Sequence, residues 1–189
     1  MKSNIAALVA VALFAGPMAA HAVSVTWTDW TRIGARDASG MMGGVTVSVS
    51  SIADMNGPSQ TGCGTNWWTE PNAADRPYTG GTVSNAPTPC EQVALNTANT
   101  VTVTFSSPID TLYMALLSVG QPGYLVTYDF QDDEPFVIDS EGQGFWGNDV
   151  TDGVIGPGNT LAMYEFHGVL RFTSPVSSLT FSTAPTHNQ

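Results

Sequence analysis

A period of two limits what this chain can fold into more than any other feature. Val45, Val47 and Val49 alternate with Thr46, Ser48 and Ser50, and Val101, Val103 and Phe105 alternate with Thr100, Thr102 and Thr104. Successive side chains of a strand point to opposite faces, so each run offers one apolar face and one hydroxyl-rich face. A helix would scatter the same residues around its circumference. Val23, Val25 and Trp27 mark a first strand, and Tyr124, Val126, Tyr128 and Phe130 line one side of another. Further strands are expected at Phe136–Asp139, Leu161–Phe166, Val169–Thr173 and Val176–Ser182. Leu112–Val119 is apolar on both faces and reads as a central strand. Helical periodicity is nearly missing, and one helical turn is expected, at Glu91–Asn96. About nine short strands parted by Gly, Pro and Asn predict an all-β chain: a single β-sandwich of jelly-roll type over residues 23–189.

Two stretches share one pattern. Val103-Thr-Phe-Ser-Ser-Pro-Ile-Asp-Thr-Leu112 and Leu170-Arg-Phe-Thr-Ser-Pro-Val-Ser-Ser-Leu179 both read as strand, corner, strand. Pro108 and Pro175 fix φ and lack an N–H, so each is expected to end a ladder and let the chain cross to the next strand or the opposite sheet.

The first 22 residues have the layout of a signal peptide: Lys2, an apolar run Ile5–Phe14, and the small-x-small site Ala20-His21-Ala22. Cleavage before Val23 and export to the periplasm, cell surface or medium are expected. The run is shorter than the ~20 residues needed to span a bilayer, and no later run is apolar enough, so the mature chain is expected to lack a membrane span. Net charge is −11, and Lys2 is the only lysine, so beyond the leader four arginines face sixteen acids. That field repels phosphate backbones, which argues against nucleic acid as a partner. Cys63 and Cys90 both follow the leader, and a disulfide between them is expected in an oxidising compartment. Closing a loop of about 28 residues would contribute about 3–4 kcal/mol.

The Phe-x-Ser-Pro-Val-x-Ser-Leu element, the Ser/Thr-rich valine strands and the leader resemble the ectodomains of exosortase-sorted (PEP-CTERM) bacterial surface proteins. The chain ends Ala184-Pro-Thr-His-Asn-Gln189, without the Pro-Glu-Pro sorting tail of that group. The resemblance implies a secreted jelly-roll module and supplies no catalytic residue.

Residues 54–100 carry almost no strand pattern, and an insert of that length in a compact domain points to a functional loop tied by the disulfide. Trp67, Trp68 and Tyr78 within it are candidate ligand-binding residues, because flat aromatic faces stack on sugar rings. The competing reading is that they pin the insert to the body of the fold. Asp129, Asp132, Asp133, Asp149 and Asp152 form a candidate Ca2+ site, with Glu134, Asp139, Glu141 and Asn148 nearby. Calcium takes six to eight oxygens, but the spacing is not that of an EF-hand, and solvated hairpin acids account for it equally well. His167 and His187 follow the leader without a nucleophile motif beside them. The expected function is non-catalytic: binding of glycan, or a place in the envelope or matrix. The alternatives are glycoside hydrolysis by a pair drawn from Glu70, Glu141 and Glu165, and a self-associating structural subunit.

Overall fold

The computed structural model describes residues 22–55, 57–62, 64–89, 91–95, 97–131, 134–146 and 153–186. These residues carry strands and no helix, so none crosses a membrane as a long apolar helix. Eight strands make one sheet, in the order β1 (Asp29–Ile33), β2 (Asp37–Met42), β3 (Val45–Ser51), β6 (Asn99–Ile109), β13 (Val176–Thr186), β8 (Leu125–Phe130), β11 (Thr160–Met163) and β10 (Val154–Gly156). A three-stranded sheet runs β7 (Tyr113–Val119), β12 (Phe166–Phe172), β9 (Phe136–Glu141), and the two-residue strands β4 (Gln60–Thr61) and β5 (Glu91–Gln92) form a small pair. Pairing within all three sheets is antiparallel.

The alternation of the valine runs decides which face of the large sheet is dry. Val47, Val49, Val101 and Phe105 are buried, while Thr46, Ser48, Ser50 and Thr104 are exposed. Val47 lies opposite Phe105 and Val49 opposite Val103, so the apolar residues meet across the ladder. On the wet face the Thr102 and Thr180 hydroxyls hydrogen-bond at 3.2 Å.

Both Ser-Pro corners carry the chain between sheets, in opposite directions. Pro108 lies one residue inside the end of β6, whose Ile109 is still paired, ahead of β7 in the small sheet, and Pro175 follows β12 of the small sheet ahead of β13 in the large one. Ile109 pairs with Val176, which sets the two corners side by side. Between the sheets Tyr128, Phe130 and Phe181 share one core with Leu116, Phe136, Leu170 and Phe172. The Phe130 ring meets Phe136 at 4.8 Å and Phe172 at 5.4 Å. Each large side chain buried this way contributes about 1.5–3 kcal/mol.

Three expectations need correcting. Leu112–Val119 was expected at the centre of a sheet, yet β7 is an edge strand of the small one. Its two apolar faces have another cause: Leu112, Met114 and Leu116 face the main core, whereas Tyr113, Ala115 and Leu117 pack under the insert with Trp68, Tyr78 and Val169. The strand is central in a stack of layers rather than in a ladder. The described residues 91–95 of the expected Glu91–Asn96 turn are not helical, since Glu91 and Gln92 pair with Thr61 and Gln60 as β5. Among the described residues the first strand begins at Asp29, and upstream of it only Val23 makes a bridge, parallel to Val83. Cys63 and Cys90 lie outside the described residues.

Candidate functional site

The insert packs over the outer face of the small sheet. β12 is buried on both sides because Phe166, Leu170 and Phe172 enter the main core while Val169 meets Trp68 and Tyr78. Trp68 and Tyr78 contact edge to face at 5.2 Å, and the Trp68 indole N–H donates to the Glu91 carbonyl at 3.0 Å. Carboxylates hold the loop down. Glu70 accepts the backbone N–H groups of Tyr78 and Thr79, each at 2.8 Å, and Asp139 accepts the Thr82 N–H at 2.7 Å and the Thr82 hydroxyl at 2.8 Å. Both Trp68 and Tyr78, read from the sequence as candidate ligand contacts, are therefore core residues of the insert.

An aromatic shelf stands beside them, and most of it was missed in the sequence. Trp67 is half-buried and stacks on Trp146 at 5.1 Å with the planes 12° apart. Phe145 meets Trp67 at 4.6 Å and Trp146 at 5.0 Å, edge to face in both cases. Phe145 is 39% and Trp146 44% exposed. The signal was the run Gly142-Gln-Gly-Phe-Trp-Gly147, a large apolar pair among glycines. The Asp75 carboxylate accepts the Gln143 N–H at 3.1 Å and so ties this turn to the insert. Gly144 lets the turn lie on His167, since a Cβ there would stand 2.2 Å from its Nδ1.

Under the shelf is a closed polar cluster. His167 is fully buried, and its Nδ1 faces two groups, the Tyr78 hydroxyl at 3.1 Å and the Ser118 N–H at 3.3 Å. An N–H donor fixes Nδ1 as the acceptor, so the neutral ring carries its proton on Nε2. That atom lies 3.3 Å from Glu165 Oε1 but out of line for a hydrogen bond. Ser118 donates its hydroxyl to the same Glu165 oxygen. Both Ser118 and Glu165 have left-handed backbone, at φ 49° and 50°, a conformation that costs about 1–3 kcal/mol each and persists only where surroundings enforce it. The Ser118 hydroxyl thus bonds to the glutamate, and it is the backbone N–H of Ser118, not its hydroxyl, that meets the imidazole, so these residues form no serine–histidine pair.

Burial pushes the His167 imidazole down, and the neighbouring Glu165 charge only partly opposes this. The unfolded chain, with a histidine near ~6.5, then takes up a proton that the folded chain refuses. Stability from this group is complete above that pH and falls below it, by up to about 1.4 kcal/mol per pH unit. Urea unfolding between mildly alkaline and mildly acid pH should show this slope in the wild type and lose it in His167→Gln. Parallel curves for the two would exclude the histidine as its source.

A cavity of about 840 Å3 runs along β7, lined by the inner face of the large sheet and also by Trp27 and Trp68 on the insert side. Val47, Val101, Phe105, Leu179 and Phe181 line one wall, and β7 the other. Glu91 and Gln92 lie on its lining, and Trp146 belongs to both lining and shelf, which places the shelf at the rim. The cavity is open to the surface on one side, so it is accessible to solvent and to a ligand.

Of the candidate metal ligands, Asp132, Asp133, Asp149 and Asp152 lie outside the described residues, and Asp129 is an exposed residue of β8. Among the described residues no three His, Cys, Asp or Glu side chains gather to hold an ion. Asp139 and Glu141 serve the fold: the first accepts from Thr82 and Arg171, the second from the Gly153 N–H at 3.0 Å. No protein-family model, curated protein or solved structure matches this sequence.

Proposed function

We propose that the chain is an exported, non-catalytic β-sandwich that binds glycan of the envelope or extracellular matrix on the Phe145–Trp146 shelf. The observation that carries this is the exposed aromatic pair braced from behind by Trp67. An exposed indole offers a sugar ring the flat apolar contact it lacks in water, and the stacking of Trp146 on Trp67 and, at 6.4 Å, on His167 means little side-chain freedom is lost on binding. Two antiparallel sheets sharing one core support the sandwich reading. The signal-peptide pattern and the resemblance to exosortase-sorted ectodomains support export and a surface role, and a disulfide between Cys63 and Cys90 would suit that setting. Hydrolysis by a glutamate pair has less support, because Glu70 caps the insert, Glu141 accepts from Gly153 and Glu165 is buried against Ser118.

Affinity electrophoresis against a panel of soluble polysaccharides tests the proposal. The wild type should be retarded by at least one of them, and Trp146→Ala should lose about tenfold or more in affinity while melting within a few degrees of the wild type. Wild-type mobility unchanged by every polysaccharide, or full retention in Trp146→Ala, would refute it.

A further inference from the structure

The cavity beneath the shelf has a chemistry of its own, independent of glycan binding. Its size falls in the ~300–1,000 Å3 range of pockets that enclose small organic ligands. Apolar residues make up most of its lining, with valine and leucine foremost and threonine the commonest polar type, so a polar sugar would be a poor occupant and a hydrocarbon chain a good one. At the insert end stand Glu91 and Gln92. Gln92 is only 7% exposed, and its Oε1 has no hydrogen-bond partner among the described residues, while its amide donates to the Pro58 carbonyl. Glu91 is buried too, with its carboxyl accepting the Trp30 N–H at 2.8 Å.

We propose that this cavity binds a single-chain amphiphile with an uncharged, hydroxyl-bearing head, its chain between β7 and the large sheet and its head donating to Gln92 and Glu91. An unpartnered buried acceptor is costly and calls for a donor. Both acceptors belong to the cavity lining, and they select hydroxyls over a carboxylate, which brings only more lone pairs and a charge repelled by Glu91. Burial pushes the Glu91 carboxyl up, in keeping with a low-dielectric pocket end that disfavours a second anion. The free edge of β7 explains how a chain enters: no strand flanks it on the side away from β12 among the described residues.

Trp27, Trp30 and Trp68 line the cavity, so the protein reports on its own occupancy. The experiment titrates the purified chain with a brominated long-chain monoacylglycerol, whose heavy atoms quench tryptophan on contact, and with the brominated fatty acid of the same chain. Saturable quenching by the monoacylglycerol is expected, at about one per chain, with the fatty acid binding about tenfold or more weakly. Val103→Trp, which fills the cavity from the large sheet, should weaken binding of both by about tenfold with the far-ultraviolet spectrum unchanged. Glu91→Gln keeps an acceptor for Trp30 and should bring the two ligands to within about threefold. The proposal fails if the monoacylglycerol gives no saturable quenching. Equal affinity of wild type for both amphiphiles overturns the head assignment, and undiminished quenching in a folded Val103→Trp overturns the location.

Discussion

Trp68→Ala is expected to destabilise the protein by about 3–5 kcal/mol, the range for emptying a buried indole site. Trp146→Ala, at the exposed end of the same aromatic group, should cost about 1 kcal/mol or less. Trp68 is buried against Tyr78 and Val169, and its N–H satisfies the Glu91 carbonyl, so truncation removes packing and a hydrogen bond together. Trp67→Ala belongs between the two, because its ring is half-buried and braces Trp146. Chemical denaturation of the three variants orders them directly. Glycan affinity should fall in the reverse order, most for Trp146 and least for Trp68 when measured below the unfolding range. A Trp68→Ala protein within about 1 kcal/mol of the wild type would mean that the insert does not depend on this core.

The legible part of the fold was what alternation encodes. β3 and β6 announce themselves because hydroxyls and valines take turns, and the face assignment follows without any tertiary knowledge. The crossing between sheets at both Ser-Pro corners was also readable from local geometry, although only Pro175 stands outside a strand and the ladder runs past Pro108 to Ile109. β7 was misplaced for a reason a single strand cannot reveal. Apolar residues on both faces report that two layers cover it, but not whether a neighbouring strand or a folded-over loop lies on either side.

The site was harder to read because its parts come from distant positions. Trp67 drew attention as half of an adjacent pair, yet its stacking partner Trp146 lies in another loop, and its sequence neighbour Trp68 points into the insert's core. Tyr78 and His167 are 89 residues apart and meet only because the insert crosses β12. Gly144 shows what a sequence holds in compressed form: its missing side chain makes room for a histidine not yet placed. Gln92 carried no signal at all, because an unpartnered carbonyl exists only once its surroundings are built.

The second large effect is expected at Asp139, which joins the insert to β9. Its side chain is 2% exposed and takes the Thr82 N–H, the Thr82 hydroxyl and the Arg171 guanidinium, the last at 3.1 Å. Close approach here is enforced by Gly81, where a Cβ would lie 2.2 Å from the Asp139 carbonyl oxygen. Asp139→Ala strands a backbone donor and leaves Arg171 without its carboxylate. Breaking a buried pair costs about 3–5 kcal/mol, but Arg171 is about a third exposed and recovers water, so about 3 kcal/mol is expected. Asp139→Asn, which keeps one acceptor oxygen and the shape, should cost about half as much. The damage should also be local, since the hydrogen bonds of Thr82 go to Val23, to the Tyr113 hydroxyl and to Asp139, all outside the strands of the large sheet. Amide exchange should accelerate for residues 78–84 in Asp139→Ala while β3, β6 and β13 stay protected. Uniform acceleration across both sheets would instead make the insert part of one cooperative unit with the sheets, and unchanged exchange at 78–84 would remove Asp139 as its anchor.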